Sequence, residues 1–211
     1  MLDRFYDILG NYISRFSWGE KIAWHVARHR KAYMRLEAVV AGMILALAVH
    51  LIWLEIYRVP NRSMSPVLLP GDRLAVNQLA YIWGRPAIGD LVLLRTPEPK
   101  YEKQPAFCVR RIAGLPGQDV SLEQGQLHVN GERVGHEAFL QRRYSRRAID
   151  LTTNRIEFFS DAQVPEGSVF VLGDNSEDFL DSRSWGSVSI GNIQGRVSFR
   201  FWPPGRIETV Q

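Results

Sequence analysis

Residues 38–54, AVVAGMILALAVHLIWL, form an apolar run without a formal charge, in which His50 is the one ionisable group. As an α-helix it would be about 26 Å long, the short end of what crosses a bilayer core. Such a run has two homes, a membrane or the centre of a soluble helical core, and the charge distribution favours the first. Residues 1–35 carry 7 Lys/Arg against 3 Asp/Glu, and Arg28, Arg30, Lys31 and Arg35 crowd against the start of the run. Basic residues collect on the cytoplasmic side of a membrane segment, while Trp53, Tyr57 and a snorkelling Arg58 suit the opposite interface. A cleaved signal peptide fits poorly, because the run starts late and no small-residue cleavage pattern follows it. The expected layout is a cytoplasmic basic amphipathic segment at 1–35, a single-pass transmembrane anchor at 36–57 and an extracytoplasmic domain at 58–211.

The cytoplasmic segment mixes aromatic and basic residues at helical spacing, which fits either a helix lying on anionic lipid or a solvated one. His25 and His29 stand one turn apart but have no third ligand near them, so no metal site is expected. The single cysteine, Cys108, excludes an intramolecular disulfide and a Cys-based zinc cluster. A net charge of +4 is too mild for a nucleic-acid protein, and no basic reading helix is present.

After residue 58 the pattern changes to short alternating runs punctuated by Gly, Pro, Asn and Asp. Strands are expected at 73–78, 90–95, 107–113, 119–122, 126–130, 155–159, 168–172 and 196–202. Asn130-Gly131 and, more weakly, Gln124-Gly125 carry hairpin-turn chemistry. With no long amphipathic helix between the strands, the fold class is mainly β, one antiparallel domain behind the anchor. Residues 141–153, QRRYSRRAIDLTT, read as an exposed insertion whose Arg142, Arg143, Arg146 and Arg147 meet either solvent or anionic lipid.

Three segments place special residues at element ends: residues 59–72 with Asn61-Arg62-Ser63-Met64-Ser65-Pro66, residues 107–117 with Arg110-Arg111-Ile112-Ala113-Gly114-Leu115-Pro116-Gly117, and residues 173–186 with Gly173-Asp174-Asn175 and Asp181-Ser182-Arg183-Ser184-Trp185-Gly186. In this order, behind an apolar run, they resemble the type I signal peptidases, membrane-bound serine endopeptidases that remove signal peptides from exported proteins. The resemblance covers about residues 36–211, and it implies an antiparallel β-sheet signal-peptidase fold in the plasma (inner) membrane with the N-terminus cytoplasmic and the C-terminal domain extracytoplasmic or periplasmic. No cofactor is implied.

By resemblance, Ser63 is the nucleophile, Asn61 and Ser63 provide oxyanion contacts, Asp181, Ser182 and Arg183 support the site, and Met64, Pro66, Leu68 and Val109 line the substrate groove. One position departs from the pattern. The family's general base is a lysine kept neutral by an apolar site, and here Arg110 stands in its place; a guanidinium stays protonated at any workable pH and takes no proton. Phe179 occupies the position of a serine that orients that lysine. His128 and His136 lie beyond the Gly-Leu-Pro-Gly turn, and Lys21, Lys31, Lys100 and Lys103 do not fit the base position. Two functions follow: a signal peptidase I-type endopeptidase cleaving after small residues, or a catalytically inactive homologue that binds peptides or partners in the same groove. The partners implied are signal peptides of exported preproteins and the lipid bilayer.

Overall fold

The computed structural model describes residues 29–96, 107–150, 155–178 and 180–210. The chain divides into two compact units, Met1–Ile52 and Trp53–Gln211. Helix α1, Arg30–Trp53, is rich in Ala, Leu and Met and free of proline, which favours a long helix. Val39, Met43, Ile44 and Leu45 on it are exposed. Among the described residues no helix is long and apolar enough to cross a membrane. The helix stops short of the expected anchor boundary: Leu54–Arg58 is a strand, β1, and the Tyr57 hydroxyl donates to the Phe107 carbonyl at 2.8 Å. His25 and the amphipathic segment ahead of it lie outside the described residues.

The second unit is mainly antiparallel β. In chain order, β1 is followed by β2 (Arg73–Asn77), the single-turn helix α2 (Ala80–Trp83), β3 (Leu91–Arg95), β4 (Phe107–Gly114), β5 (Asp119–Glu123), β6 (Gln126–Val129) and β7 (Glu132–Arg133). Then come α3 (Glu137–Leu140), β8 (Arg147–Asp150), β9 (Arg155–Phe158), β10 (Ala162–Gln163), β11 (Ser168–Leu172), α4 (Ser182–Trp185), β12 (Val188–Ser189), β13 (Ile193–Trp202) and β14 (Glu208–Thr209). The main sheet runs β1-β2-β13-β3-β4-β11-β12, with β14 on β13; a second sheet runs β10-β5-β6-β7, and β8 pairs with β9. Every expected strand is present, 168–172 with its ends unchanged and the others with one end shifted.

Strand β3, LVLLR, shows why one run of apolar residues sits at the sheet centre. Alternate side chains face opposite sides of a strand. Leu91 and Leu93 accordingly join a core cluster with Met64, Leu68 and Val109, while Val92 and Leu94 join another with Cys108, Ile112 and Val171. Covered on both faces, β3 and its partner β4 form the rigid floor on which the functional segments rest. The second sheet adds a third cluster, with Val120, Leu122, Leu127 and Phe170. Both hairpin turns form as their residues dictate: Gln124-Gly125 and Asn130-Gly131 adopt φ of 50° and 80°, and 53° and 79°. Two successive positive φ values give the turn whose twist matches the flanking strands.

Residues 141–150 correct the sequence expectation of an exposed insertion at 141–153, of which 151–153 lie outside the described residues. Tyr144 and Ala148 are buried in the third cluster, and β8 pairs with β9 from Arg147↔Phe158 to Asp150↔Arg155. The arginines dominate the composition of this stretch, but the fold is set by two apolar side chains between them that pack inward.

Candidate active site

Ser63 sits in a turn between β1 and β2, only 3% exposed. Residues after it begin a helical turn, with Leu68 N–H donating to the Met64 carbonyl at 2.8 Å. Met64 and Leu68 are driven inward as fully buried apolar anchors of the loop. The Ser63 hydroxyl donates to Asn61 Oδ1 at 2.8 Å, and the Ser63 N–H donates to the same oxygen at 3.2 Å. An amide N–H tolerates only an acceptor opposite it, which fixes the Asn61 oxygen, not its nitrogen, towards Ser63. The two groups read from sequence as oxyanion donors are thus turned onto each other.

Arg110, on β4, comes from the other direction. Its Nη1 donates to Ser63 Oγ at 2.8 Å and to the Val109 carbonyl at 2.7 Å, while Nε and Nη2 donate to the Leu180 carbonyl at 3.3 and 2.8 Å. The Trp185 ring lies 5.6 Å from the guanidinium carbon, a cation–π contact. The side chain is only 4% exposed, so every hydrogen bond it makes replaces one to water. Around the serine oxygen the inventory is therefore one donor, Arg110, and one acceptor, Asn61. An amide oxygen is no base, and neither imidazole of the second unit stands in: His128 Nδ1 pairs with the Gln126 carbonyl, and His136 caps α3 by accepting from Ala138 N–H. Phe179, Lys100 and Lys103 lie outside the described residues.

The third segment closes around the first two. Asn175 N–H donates to the Ser63 carbonyl at 3.0 Å and its side-chain amide to the Arg62 carbonyl at 3.3 Å. Gly173 is needed there because a Cβ on it would meet the Ser63 carbonyl oxygen at 2.8 Å. Asp181 is fully buried and caps α4 through Arg183 N–H at 3.0 Å. The same carboxylate accepts from Gly173 N–H at 2.9 Å and pairs with the Arg183 guanidinium at 2.8 Å. Ser182 Oγ accepts from Val171 N–H at 2.9 Å. These three residues tie the segment to the sheet.

The groove residues divide. Met64, Leu68 and Val109 are buried in the core beneath the loop, whereas Pro66 is exposed. Beside Arg110 lies a cavity of about 30 Å³ whose lining includes Asn61, Cys108, Arg110, the acidic Asp178, Leu180 and Trp185. The Leu180 carbonyl and Trp185 had no part in the sequence expectation: a backbone acceptor leaves no trace in residue type, and Trp185 was legible only as a member of its motif. Among the described residues no cluster of His, Cys, Asp or Glu could hold a metal.

Three distant segments thus converge on one buried hydroxyl, held between the amide oxygen of Asn61 and the guanidinium of Arg110. The chain belongs to the family described as signal peptidase, peptidase S26, which it matches over residues 32–202. It is 33% identical over 170 residues to a probable signal peptidase I-1 of Synechocystis, covering 78% of this chain and 80% of that protein. A signal peptidase I of Bacillus caldolyticus is 37% identical over 151 residues, 70% of this chain and 79% of its own. Among solved structures, a signal peptidase I from Enterococcus faecalis overlays 54% of this chain and 97% of its own with 23% identity and a TM-score of 0.40.

Proposed function

We propose that this chain is a membrane-anchored signal peptidase I-type protein that receives the signal peptides of exported preproteins beside Ser63, and that Arg110 makes it hold them with little or no hydrolysis. The family and the names of its relatives support the substrate class. An extended peptide enters as an added strand, and the 30 Å³ cavity, about the share of liquid volume of one water, suits a side chain as small as that of alanine. The observation that carries the inactive reading is the Arg110 Nη1 to Ser63 Oγ hydrogen bond, in which the cation donates to the oxygen that a base would have to deprotonate.

The test is cleavage of a preprotein by the purified full chain in detergent. Arg110→Lys is expected to gain signal-peptide cleavage that the double variant with Ser63→Ala lacks, while the wild type binds the preprotein at a comparable level without releasing a mature product. A second reading, the active endopeptidase, draws on the burial and fixed orientation of the Ser63 hydroxyl, which are features of a working nucleophile. Wild-type turnover abolished by Ser63→Ala would establish that reading and remove the inactive one.

A further inference from the structure

A second cavity, of about 1020 Å³, opens on the other flank of the nucleophile loop, lined by Ser65, Pro66 and Val67 on one side and by Asn175, Asp174 and Arg142 on the other. It shares no lining residue with the small cavity beside Arg110. At its wall, two guanidiniums share one carboxylate. Arg111 grips Asp174 bidentately, Nε to Oδ1 and Nη2 to Oδ2 at 2.8 Å each, and spends Nη1 on the Gly89 carbonyl at 2.7 Å. Arg142 Nη2 reaches the same Oδ2 at 3.3 Å. Asp174 and Arg111 have 0% side-chain exposure and Arg142 has 15%, so two cations stand against one anion in a place where water screens little.

Two residues lining the same cavity each carry an orphan atom. Arg142 Nη1 and Ser65 Oγ are buried without a hydrogen-bond partner. A guanidinium nitrogen is a donor only and a hydroxyl donates readily, so the acceptor both lack is one chemical type. Glu137 and Glu177 also line the cavity, yet among the described residues neither forms an ion pair with Arg142. An uncompensated buried cation with an unused N–H costs stability unless something else satisfies it.

We propose that this cavity binds a carboxylate carried by the peptide engaged at Ser63, an Asp or Glu side chain a few residues after the small residue. The inference rests on the signal-peptide reading above, which seats the small side chain in the Arg110 cavity and so directs the following residues along the opposite flank. The Arg142 and Ser65 side chains rotate to present Nη1 and Oγ as donors to the carboxylate, and its charge balances the Arg111–Asp174–Arg142 cluster. Charge-assisted bonds of this kind are short, directional and about twice as strong as neutral ones.

The experiment measures anisotropy of labelled peptides binding to the full chain in detergent micelles. Each peptide carries small residues followed by Asp scanned over the next few positions, and each is paired with its Asn isostere. At one position the Asp peptide is expected to bind wild type on the order of tenfold tighter than its isostere. With Arg142→Gln the pair is expected to bind alike, Arg142→Lys should keep part of the preference, and Ser65→Ala should narrow it. If Asp and Asn peptides bind wild type equally at every position, the acidic subsite is overturned while the signal-peptide reading stands. If no peptide of either kind binds, both readings fall. The wild-type comparison decides even if a variant does not fold.

Discussion

At the scale of single residues, the guanidinium at position 110 does more than decline a proton. A lysine nitrogen at this position would have one atom with which to serve Ser63; Arg110 spreads its donors over Ser63, Val109 and Leu180, and so bolts the strand to the loop that carries Asp178 and Leu180. That Arg110 takes no proton was legible in sequence, since residue type alone decides it; the carbonyls it grips were not. The Asn61 geometry was not: which end of an amide faces a hydroxyl depends on the backbone N–H beside it. Tyr144 shows a residue whose polar atom works against the fold. Its hydroxyl is buried without a partner, while its ring packs in the core and carries the Arg183 guanidinium at 5.7 Å. Tyr144→Phe keeps the ring and removes the orphan, and is expected to raise stability by about 1–2 kcal/mol in a thermal melt at neutral pH. Burial, with Asp174 nearby, also pushes the Tyr144 phenol well above its ordinary value of 10. The folded state then holds a proton that the unfolded chain gives up, so this contribution is full below about pH 10 and is lost as pH climbs beyond it. The variant should accordingly lose stability less steeply than wild type between pH 9 and about 11; parallel curves would show that Tyr144 does not titrate in unfolding.

At the scale of elements, the site depends on how closely two loops approach. Gly173 lies at the end of β11, and a methyl there would sit 2.8 Å from the Ser63 carbonyl oxygen, a backbone atom that cannot swing away. Gly173→Ala should therefore push the Ser63 loop off the Asn175 N–H, costing about 1–3 kcal/mol as overpacking does. Urea titration measures that cost, and the same variant should weaken preprotein binding; unchanged stability would mean that the loops are separable. The contact joins residues far apart in sequence, and nothing in the Gly-Asp-Asn triplet taken alone announces what its glycine touches. The 141–153 stretch teaches the complementary lesson. Its charge density reads as a solvated loop, but Tyr144 and Ala148 fall among core residues and β8 finds a partner in β9. Two apolar side chains outweigh the surrounding arginines because burial is decided residue by residue and long cationic side chains can leave for solvent while their backbone stays.

At the scale of the whole molecule, alternation and turn chemistry made the β class and eight of the strands readable, whereas β1 was hidden because LEIYR continues an apolar run that belongs to a helix. Only its register with β2, Leu54↔Asn77 through Arg58↔Arg73, separates strand from helix, and pairing across an intervening loop is not written in local composition. That boundary bears on the anchor. If α1 holds the chain in a bilayer, its apolar stretch must end by Trp53, so the span is short and leans on the basic cluster ahead of it and on exposed side chains such as Met43 and Leu45 for retention. Most apolar surface exposed on a lone helix would be unfavourable in water, and immersion in lipid removes that cost at roughly 25 cal/mol per Å². The full chain is therefore expected to sediment with membranes and to stay there through alkaline carbonate washing, whereas replacing Val39, Met43, Ile44 and Leu45 together by serine should release it. If the basic residues ahead of the apolar run keep the N-terminus cytoplasmic, as the positive-inside rule directs, protease added from the extracytoplasmic side should digest the β unit and spare the first 28 residues. Release of the wild-type chain by the wash, or digestion from the cytoplasmic side, would show that the exposed apolar face of α1 is covered by something other than lipid.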